Sequence, residues 1–535
     1  MTQVEKYLAL ALIVLTAFAA PALAKMTSED SENYVVNGEG MSGLAKTTIR
    51  QSKRITIDGG ATLTMVDKAE VIGQNAVISG DGTLKGFKVN DLYGISRVEN
   101  ITIDAAQTDG RATNMQLAAA TKEQNDGSVE LTMTDVKADP DISGNKTYLK
   151  VAPQFVKDNT TQRTTTIASA KITINDSTVG HSLFGGPLAI GNGTQPHNLT
   201  IENSTIEING DSRIGRAVYA GGGVWGKQET AATTHVGNAT VIVNGGTIGT
   251  PGTLLEDKPT ENGYIYGGGL VEDQDTDDNT STSTVGKATI IINGGTVNGV
   301  RGGGRYEISK GAIPEGGVAD TVKVENVDIV IDGATVGDGG VKVGGESVGT
   351  GTTQQTVAGS VTGSASITLQ NITAEQAEDF GEISGEGAAE KADVALDLHN
   401  VKGTLQSVAE VDSVGVDPNT NVTLAKLNNT DNTLPQLMLV GDWRDESGVR
   451  EINLGDLVEV EGKSLAQAFA DDGMPDFDPE ETGITELEYN VDTGVATATV
   501  ERPAQQHSGG GGGCSAGFGA LALLAAVPLL RMRKK

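Results

Sequence analysis

Short aliphatic runs, each closed by a polar or glycine corner, recur through the middle of this chain. The sharpest copies are Ala239-Thr-Val-Ile-Val-Asn-Gly-Gly-Thr-Ile248 and Ala288-Thr-Ile-Ile-Ile-Asn-Gly-Gly-Thr-Val297, and Val327 to Val336 is a third. Weaker copies begin at Lys171, Leu199 and Ala365, and the same form stands upstream at Arg54 to Leu63 and Val98 to Asp104. A β-branched run, a polar or glycine corner and then a second short β run predict short strands whose Val and Ile point inward. Runs of four or five residues cannot bury themselves alone. They predict stacking, each run pairing with its equivalents one coil above and below, about 4.8 Å away. The spacers between runs are polar and unequal: Gly249 to Gly263 in one copy, only Asn298 to Val300 in another. Constant strands with variable spacers predict a parallel β-solenoid whose loops leave on one side.

The corners carry Asn203, Asn244 and Asn293, the latter two followed by Gly245-Gly246 and Gly294-Gly295. Stacked in register, such asparagines form an amide ladder; Asn-Gly also satisfies turn chemistry with no ladder at all. The same dipeptide between β runs is a hairpin signal, so an array of β-sandwiches is the rival fold. The corners recur without the hundred-residue modules such an array needs. A second motif follows at a distance: Tyr219-Ala-Gly-Gly-Gly223, Tyr266-Gly-Gly-Gly269 and Arg301-Gly-Gly-Gly304. No Lys-Ser/Thr follows these glycines, so they are not phosphate loops; they suit tight corners or close backbone approach.

In texture, the segment from about Arg50 to Thr373 resembles right-handed β-helix surface proteins of the adhesin and autotransporter-passenger type. That resemblance implies an all-β, right-handed parallel β-helix and carries over no functional residue. The solenoid is expected over residues 25–373. From Ala374 the pattern changes, and residues 374–501 are expected to form a C-terminal cap or a small β-rich domain. Strands are predicted at Val394 to Leu398, Val422 to Leu427 and Leu437 to Val440, a short helix at Ser464 to Phe469, and a hairpin of Thr485 to Tyr489 with Gly494 to Val500. Residues 502–513 read as a Pro/Gly linker.

The two ends read as addresses. Leu8 to Ala20 has the apolar length of a secretory signal helix, and Ala22-Leu23-Ala24 is a small-x-small cleavage site, so the mature chain is expected to start at Lys25. At the other end Gly509 to Gly513 precede Cys514, an apolar run over 515–530 and a basic tail of Arg531, Arg533, Lys534 and Lys535. The run is shorter than the roughly 20 residues of a spanning helix. Basic residues behind it place the body outside a membrane. Residues 509–535 resemble the Synergist-CTERM sorting signal, and more loosely the GlyGly-CTERM signals. The resemblance implies a surface protein whose tail, a hydrophobic helix over 514–535, meets a sorting protease or a lipid-modifying enzyme at Gly512, Gly513 and Cys514. A plain membrane anchor through 515–530 gives the same topology.

Charge and chemistry narrow the function further. The 535 residues carry a formal net charge of −31, which excludes a nucleic-acid partner because phosphates demand Lys and Arg. One cysteine excludes an intrachain disulfide. Aromatics are 4% of the chain, which favours a thin core of Val, Ile, Leu and Ala and leaves few rings to stack on sugars. The five histidines His181, His197, His235, His399 and His507 make no zinc-protease pair. The acidic stretch Glu272 to Asp278 imitates a calcium loop, but Asp278 stands where its glycine should be and Thr284 where its closing glutamate should be. Asp471, Asp472, Asp476 and Asp478 form a second acidic loop. No catalytic residue and no cofactor emerge, with a calcium-stabilised passenger as a third reading. The expected function is a non-enzymatic, surface-displayed adhesin-like or envelope structural protein whose loops at Gly249 to Gly263, Val271 to Ser283 and Tyr306 to Ala319 meet host or matrix glycans or proteins. The alternative is a β-helix enzyme that cleaves polysaccharide, which three or more carboxylates converging in one groove would favour.

Overall fold

The computed structural model describes residues 25–28, 33–37, 41–43, 49–65, 70–86, 89–104, 113–120, 127–138, 147–152, 155–156, 163–190, 197–225, 232–249, 263–273, 281–308, 321–349, 355–357, 360–390 and 392–503. These residues are mostly β, dominated by one long sheet in which nearly every pairing is parallel, an arrangement consistent with a parallel β-solenoid. The signal helix expected over 1–24 and the tail expected over 514–535 lie outside the described residues. Lys25 opens the first strand, Lys25–Ser28, which pairs antiparallel with Asn33–Asn37.

Register shows how the repeats stack. Leu131, Ile172, Ile206, Val241, Ile290, Ile329, Ile367, Leu396, Val414 and Leu437 are partners in unbroken succession. All ten are buried. A second inward column lies two residues further along each strand, from Met133 through Ile292 to Leu439. Each side chain that moves from water into such a column contributes about 1.5–3 kcal/mol. This aliphatic interior, with no disulfide to help, holds the coils together.

The Asn-Gly corners are not hairpin turns. Asn244, Gly245 and Gly246 lie inside the single strand Ala232–Ile248, and Asn293, Gly294 and Gly295 lie inside Thr282–Arg301. The chain bends there and continues in the same sense, so the sandwich array is absent from this region. Gly246 and Gly295 take φ of 82° and 84°. A Cβ at Gly246 would come 2.1 Å from the Ser212 carbonyl oxygen. By contrast Gly294 has a negative φ, and its nearest neighbour would be 3.9 Å away. The second glycine of each pair thus takes the positive φ; at Gly245 a Cβ would also meet the Gly210 carbonyl oxygen at 2.8 Å, so only Gly294 has room to spare.

The glycine triplets answer to close approach. Gly186 N–H donates to Gly221 O at 2.9 Å, Gly221 to Gly268 at 3.1 Å, and Gly268 to Gly303 at 3.1 Å, so the corners of successive coils nest backbone on backbone. A Cβ at Gly268 would sit 2.5 Å from the Gly304 nitrogen. Hydroxyls from across the coil complete the corners: Ser204 Oγ donates to Gly185 O and Ser283 Oγ to Gly222 O. Beyond the corner, short strands form a second, seven-stranded sheet that includes Leu188–Ile190, Gly223–Trp225, Leu270–Asp273, Arg305–Ile308 and Gly345–Val348. Gln355–Val357 ends it by pairing antiparallel.

Stacking does not stop at Thr373, where the sequence pattern changes. Val394–His399 pairs parallel with Ala365–Gln370, and Ser413–Val416 and Gln436–Leu439 follow. What changes is coil length: hydrogen-bonded neighbours lie 49 residues apart at Asn244 and Asn293 but 18 apart at Val411 and Asn429. The helix Ala374–Asp379 fills the site of a lost strand, its start fixed by a capping box of Thr373 and Gln376. The end is closed by an antiparallel sheet of Val449–Asn453, Val495–Val500 and Ile484–Asn490, which contains the predicted hairpin. No helix among the described residues is long and apolar enough to cross a membrane.

Candidate functional site: a groove beside the glycine corners

Tyr219, Tyr266 and Arg301, which open the glycine-rich corner motifs, lie outside the main aliphatic core cluster. Register places Phe184, Tyr219, Tyr266, Arg301, Lys342, Ser384 and Ala409 in one row. Across the corner runs a second row of Leu188, Gly223, Leu270, Arg305 and Glu346. The two rows face each other and form a groove along the coils.

Three successive fillings occupy it. First come stacked rings: Phe184 on Tyr219 and Tyr219 on Tyr266, each pair with centroids 4.8 Å apart and planes within 10°, with Trp225 edge-on to Phe184. Next comes a buried ionic cluster. Glu346 receives the Arg301 Nε at 2.6 Å, the Arg305 Nη1 at 3.3 Å and the Tyr266 hydroxyl at 2.8 Å. Arg301 also lies over the Tyr264 ring, 4.8 Å from its centroid. Burial, and then the neighbouring Glu346 charge, push the Tyr266 hydroxyl well above its ordinary pKa, against the pull of both arginines.

Beyond Lys342 the groove opens into a cleft of about 480 Å³. Its walls carry Glu382, Glu386, Glu390, Glu410, Asp412 and Asp431. Most of these carboxylates have internal partners. Glu382 and Glu386 take Lys342 Nζ at 2.7 and 3.1 Å. Asp412 accepts from the Val394 N–H and Glu410 from the Thr430 N–H, both at 2.7 Å. Asp431 accepts from the Thr433 hydroxyl at 2.6 Å. Burial works to raise the Glu386 carboxyl, but the Lys342 hydrogen bond and charge outweigh it and hold it below the ordinary range. The Thr433 hydrogen bonds lower Asp431 likewise. A glycosidase acid needs its pKa raised, so these two move the wrong way for that role.

The corner asparagines divide between two rows. Asn293 Nδ2 donates to Asn244 Oδ1 at 2.8 Å, Asn244 Nδ2 to Asn209 Oδ1 at 2.8 Å, and Asn209 Nδ2 to Asn175 Oδ1 at 2.9 Å. Asn203 is not among them. It belongs to the previous bend, where Asn238 Nδ2 donates to its Oδ1 at 3.1 Å. The strand His197–Asn209 holds both bends, so Asn209, not Asn203 as the repeat pattern predicts, is the equivalent of Asn244 and Asn293. Ala24, Gly512, Gly513 and Cys514 lie outside the described residues, as does most of the three variable loops. Among the described residues no group of three His, Cys, Asp or Glu could hold a metal ion. Asp478, from the second acidic loop, caps the helix Pro479–Thr482 instead.

Sequence reasoning missed the groove. Its signal was present: the residue that opens each glycine-rich motif changes from Tyr219 and Tyr266 to Arg301 along the chain, although only register between coils brings the three into one row. The cleft carboxylates gave no such signal, because they come from separate coils. Comparisons with protein-family models, curated proteins and solved structures find no match to the chain.

Proposed function

We propose that this is an exported, surface-anchored, right-handed parallel β-helix protein that acts without catalysis, as an adhesin-like or envelope structural body. The observation that carries this reading is the unbroken aliphatic column from Leu131 to Leu437, which makes a long, continuous support rather than a compact catalytic domain. The carboxylates of the open cleft spend their hydrogen bonds internally, which also favours a supporting role. In this reading Ala24-Lys25 is the leader junction, and a sorting protease or lipid-modifying enzyme acts at Gly512, Gly513 and Cys514. The run over 515–530 meets the membrane, and the variable loops meet glycans or proteins of a host or matrix. Fractionation of cells carrying the natural chain or Cys514→Ala tests the anchor. The natural chain is expected in the envelope fraction, with the variant shifted in fraction or mass; an unshifted variant removes Cys514 from the sorting scheme. Glycan-array binding by the purified chain tests the adhesive role.

The six-carboxylate cleft favours a second reading, a surface polysaccharide lyase or hydrolase. Its test is release of reducing ends or unsaturated products from a panel of polysaccharides. Cleavage abolished by Glu410→Gln or Glu386→Gln would establish it over the first reading, and an inert chain retires it.

A further inference from the structure

Three of the four asparagines in the outer amide row precede glycine: Asn209-Gly210, Asn244-Gly245 and Asn293-Gly294. Asn-Gly is the dipeptide most open to deamidation, because glycine has no Cβ to keep its nitrogen away from the asparagine side chain. In that reaction the glycine nitrogen attacks Cγ and loses its proton, the Cγ–Nδ2 bond breaks, and ammonia departs. Water then opens the succinimide ring to aspartate or isoaspartate. The product carries one more negative charge.

The fold opposes the first step at each junction. Asn209 and Asn244 have both ends of the side-chain amide engaged by neighbouring coils, and Asn293 has its Nδ2 engaged. Those bonds hold the amide along the stacking direction, not rolled back over its own following nitrogen.

We propose that the amide row is a chemical guard that makes Asn209, Asn244 and Asn293 inert while the coils are stacked and exposes them as rapid modification sites once the coils part. Modification then blocks return. An aspartate has no Nδ2 to donate to the preceding coil, and adjacent aspartates would bring like charges together across paired strands, which destabilises the pairing. Unfolding of these coils becomes irreversible by covalent chemistry, in proportion to the time spent open.

The test uses the full chain, incubated in mildly alkaline buffer with and without urea, with deamidation at each junction quantified by peptide mass spectrometry. Folded chain is expected to react at Asn244 about ten-fold or more slowly than chain in urea, because reaction requires local opening. Equal rates would overturn the proposal. Asn293→Thr removes the donor to Asn244 Oδ1 and is expected to speed deamidation at Asn244 several-fold with an unchanged circular dichroism spectrum. A folded variant with an unchanged rate would overturn the part assigned to the row. If Asn293→Thr does not fold, Asn175→Ser, which alters the acceptor of Asn209, applies the same two outcomes at Asn209.

Discussion

The long coils around Tyr219 to Glu346 and the short coils around Val394 to Leu439 share one aliphatic column and differ in everything beside it. In the long coils the chain has length to spare after the glycine corner, and it builds a second sheet that buries rings and paired charges in the groove. In the short coils that sheet is gone, and the same row, now Ser384 and Ala409, lines an open acidic cleft. Core packing is thus independent of coil length, whereas the groove is governed by it. Stability should concentrate where the groove is filled, and ligand access where it is not.

The sharpest way to break this contrast is Glu346→Ala. It removes the carboxylate shared by two buried guanidinium groups, leaving Arg305 with Glu307 at 3.6 Å as a charge partner, and is expected to cost about 3 kcal/mol, read from urea denaturation. Lost hydrogen-exchange protection should be confined to the long coils; loss spread evenly over residues 394–460 would contradict the division. Replacing Arg301, Arg305, Glu307 and Glu346 together by apolar residues, so that no member of the cluster keeps a lone charge, is expected to cost far less than the single change.

Gly246→Ala comes next. It places a Cβ at positive φ against the Ser212 carbonyl and is expected to destabilise by about 1–3 kcal/mol. Gly294→Ala, at a negative φ with open space, should stay within about 0.5 kcal/mol. Equal melting shifts for the two would refute the assignment of the bend to the second glycine.

In the short coils, Thr373→Ala removes the capping box of the helix Ala374–Asp379 and should cost about 1 kcal/mol. The loss should be visible in thermal melts and leave protection of the long coils unchanged.

The smallest effects are those of pH, and they sharpen the contrast from both sides. Tyr266 has a raised pKa in the filled groove. At the cleft, burial lowers Lys342, yet its hydrogen bonds to Glu382 and Glu386 leave it raised overall. Groups with raised folded values stabilise fully below their unfolded pKa and lose that contribution as pH rises. The melting temperature is therefore expected to fall above about pH 10, and Tyr266→Phe should shrink the fall. Glu386 is lowered, so its contribution is complete above its unfolded value of about 4.3 and is lost as pH drops below it. Glu386→Gln should flatten the acid limb and, by removing one of the two carboxylates that raise Lys342, also soften the alkaline limb; an unchanged alkaline limb would count against the pairing with Lys342.

The column was legible because every copy carries a short β-branched run at the same distance before its corner, which sets Ile206, Val241 and Ile290 in equivalent positions. The split of the asparagines was not, because one strand such as His197–Asn209 carries two bends with similar composition. Which of Asn203 and Asn209 meets Asn244 is settled by register between coils, and no local pattern encodes it. The continuation of stacking beyond Thr373 was hidden for a different reason. Short coils drop the Asn-Gly corner that made the earlier copies recognisable, while Leu396, Val414 and Leu437 keep the inward positions.

The antiparallel sheet at the far end gives the molecule a direction of its own. Val449–Asn453, Val495–Val500 and Ile484–Asn490 pair antiparallel, unlike the parallel coils before them, so this sheet does not repeat the pattern on which the coils stack. A turn duplicated inside the parallel stack finds parallel neighbours on both of its sides, so the body can lengthen while that closing sheet keeps its own pairings.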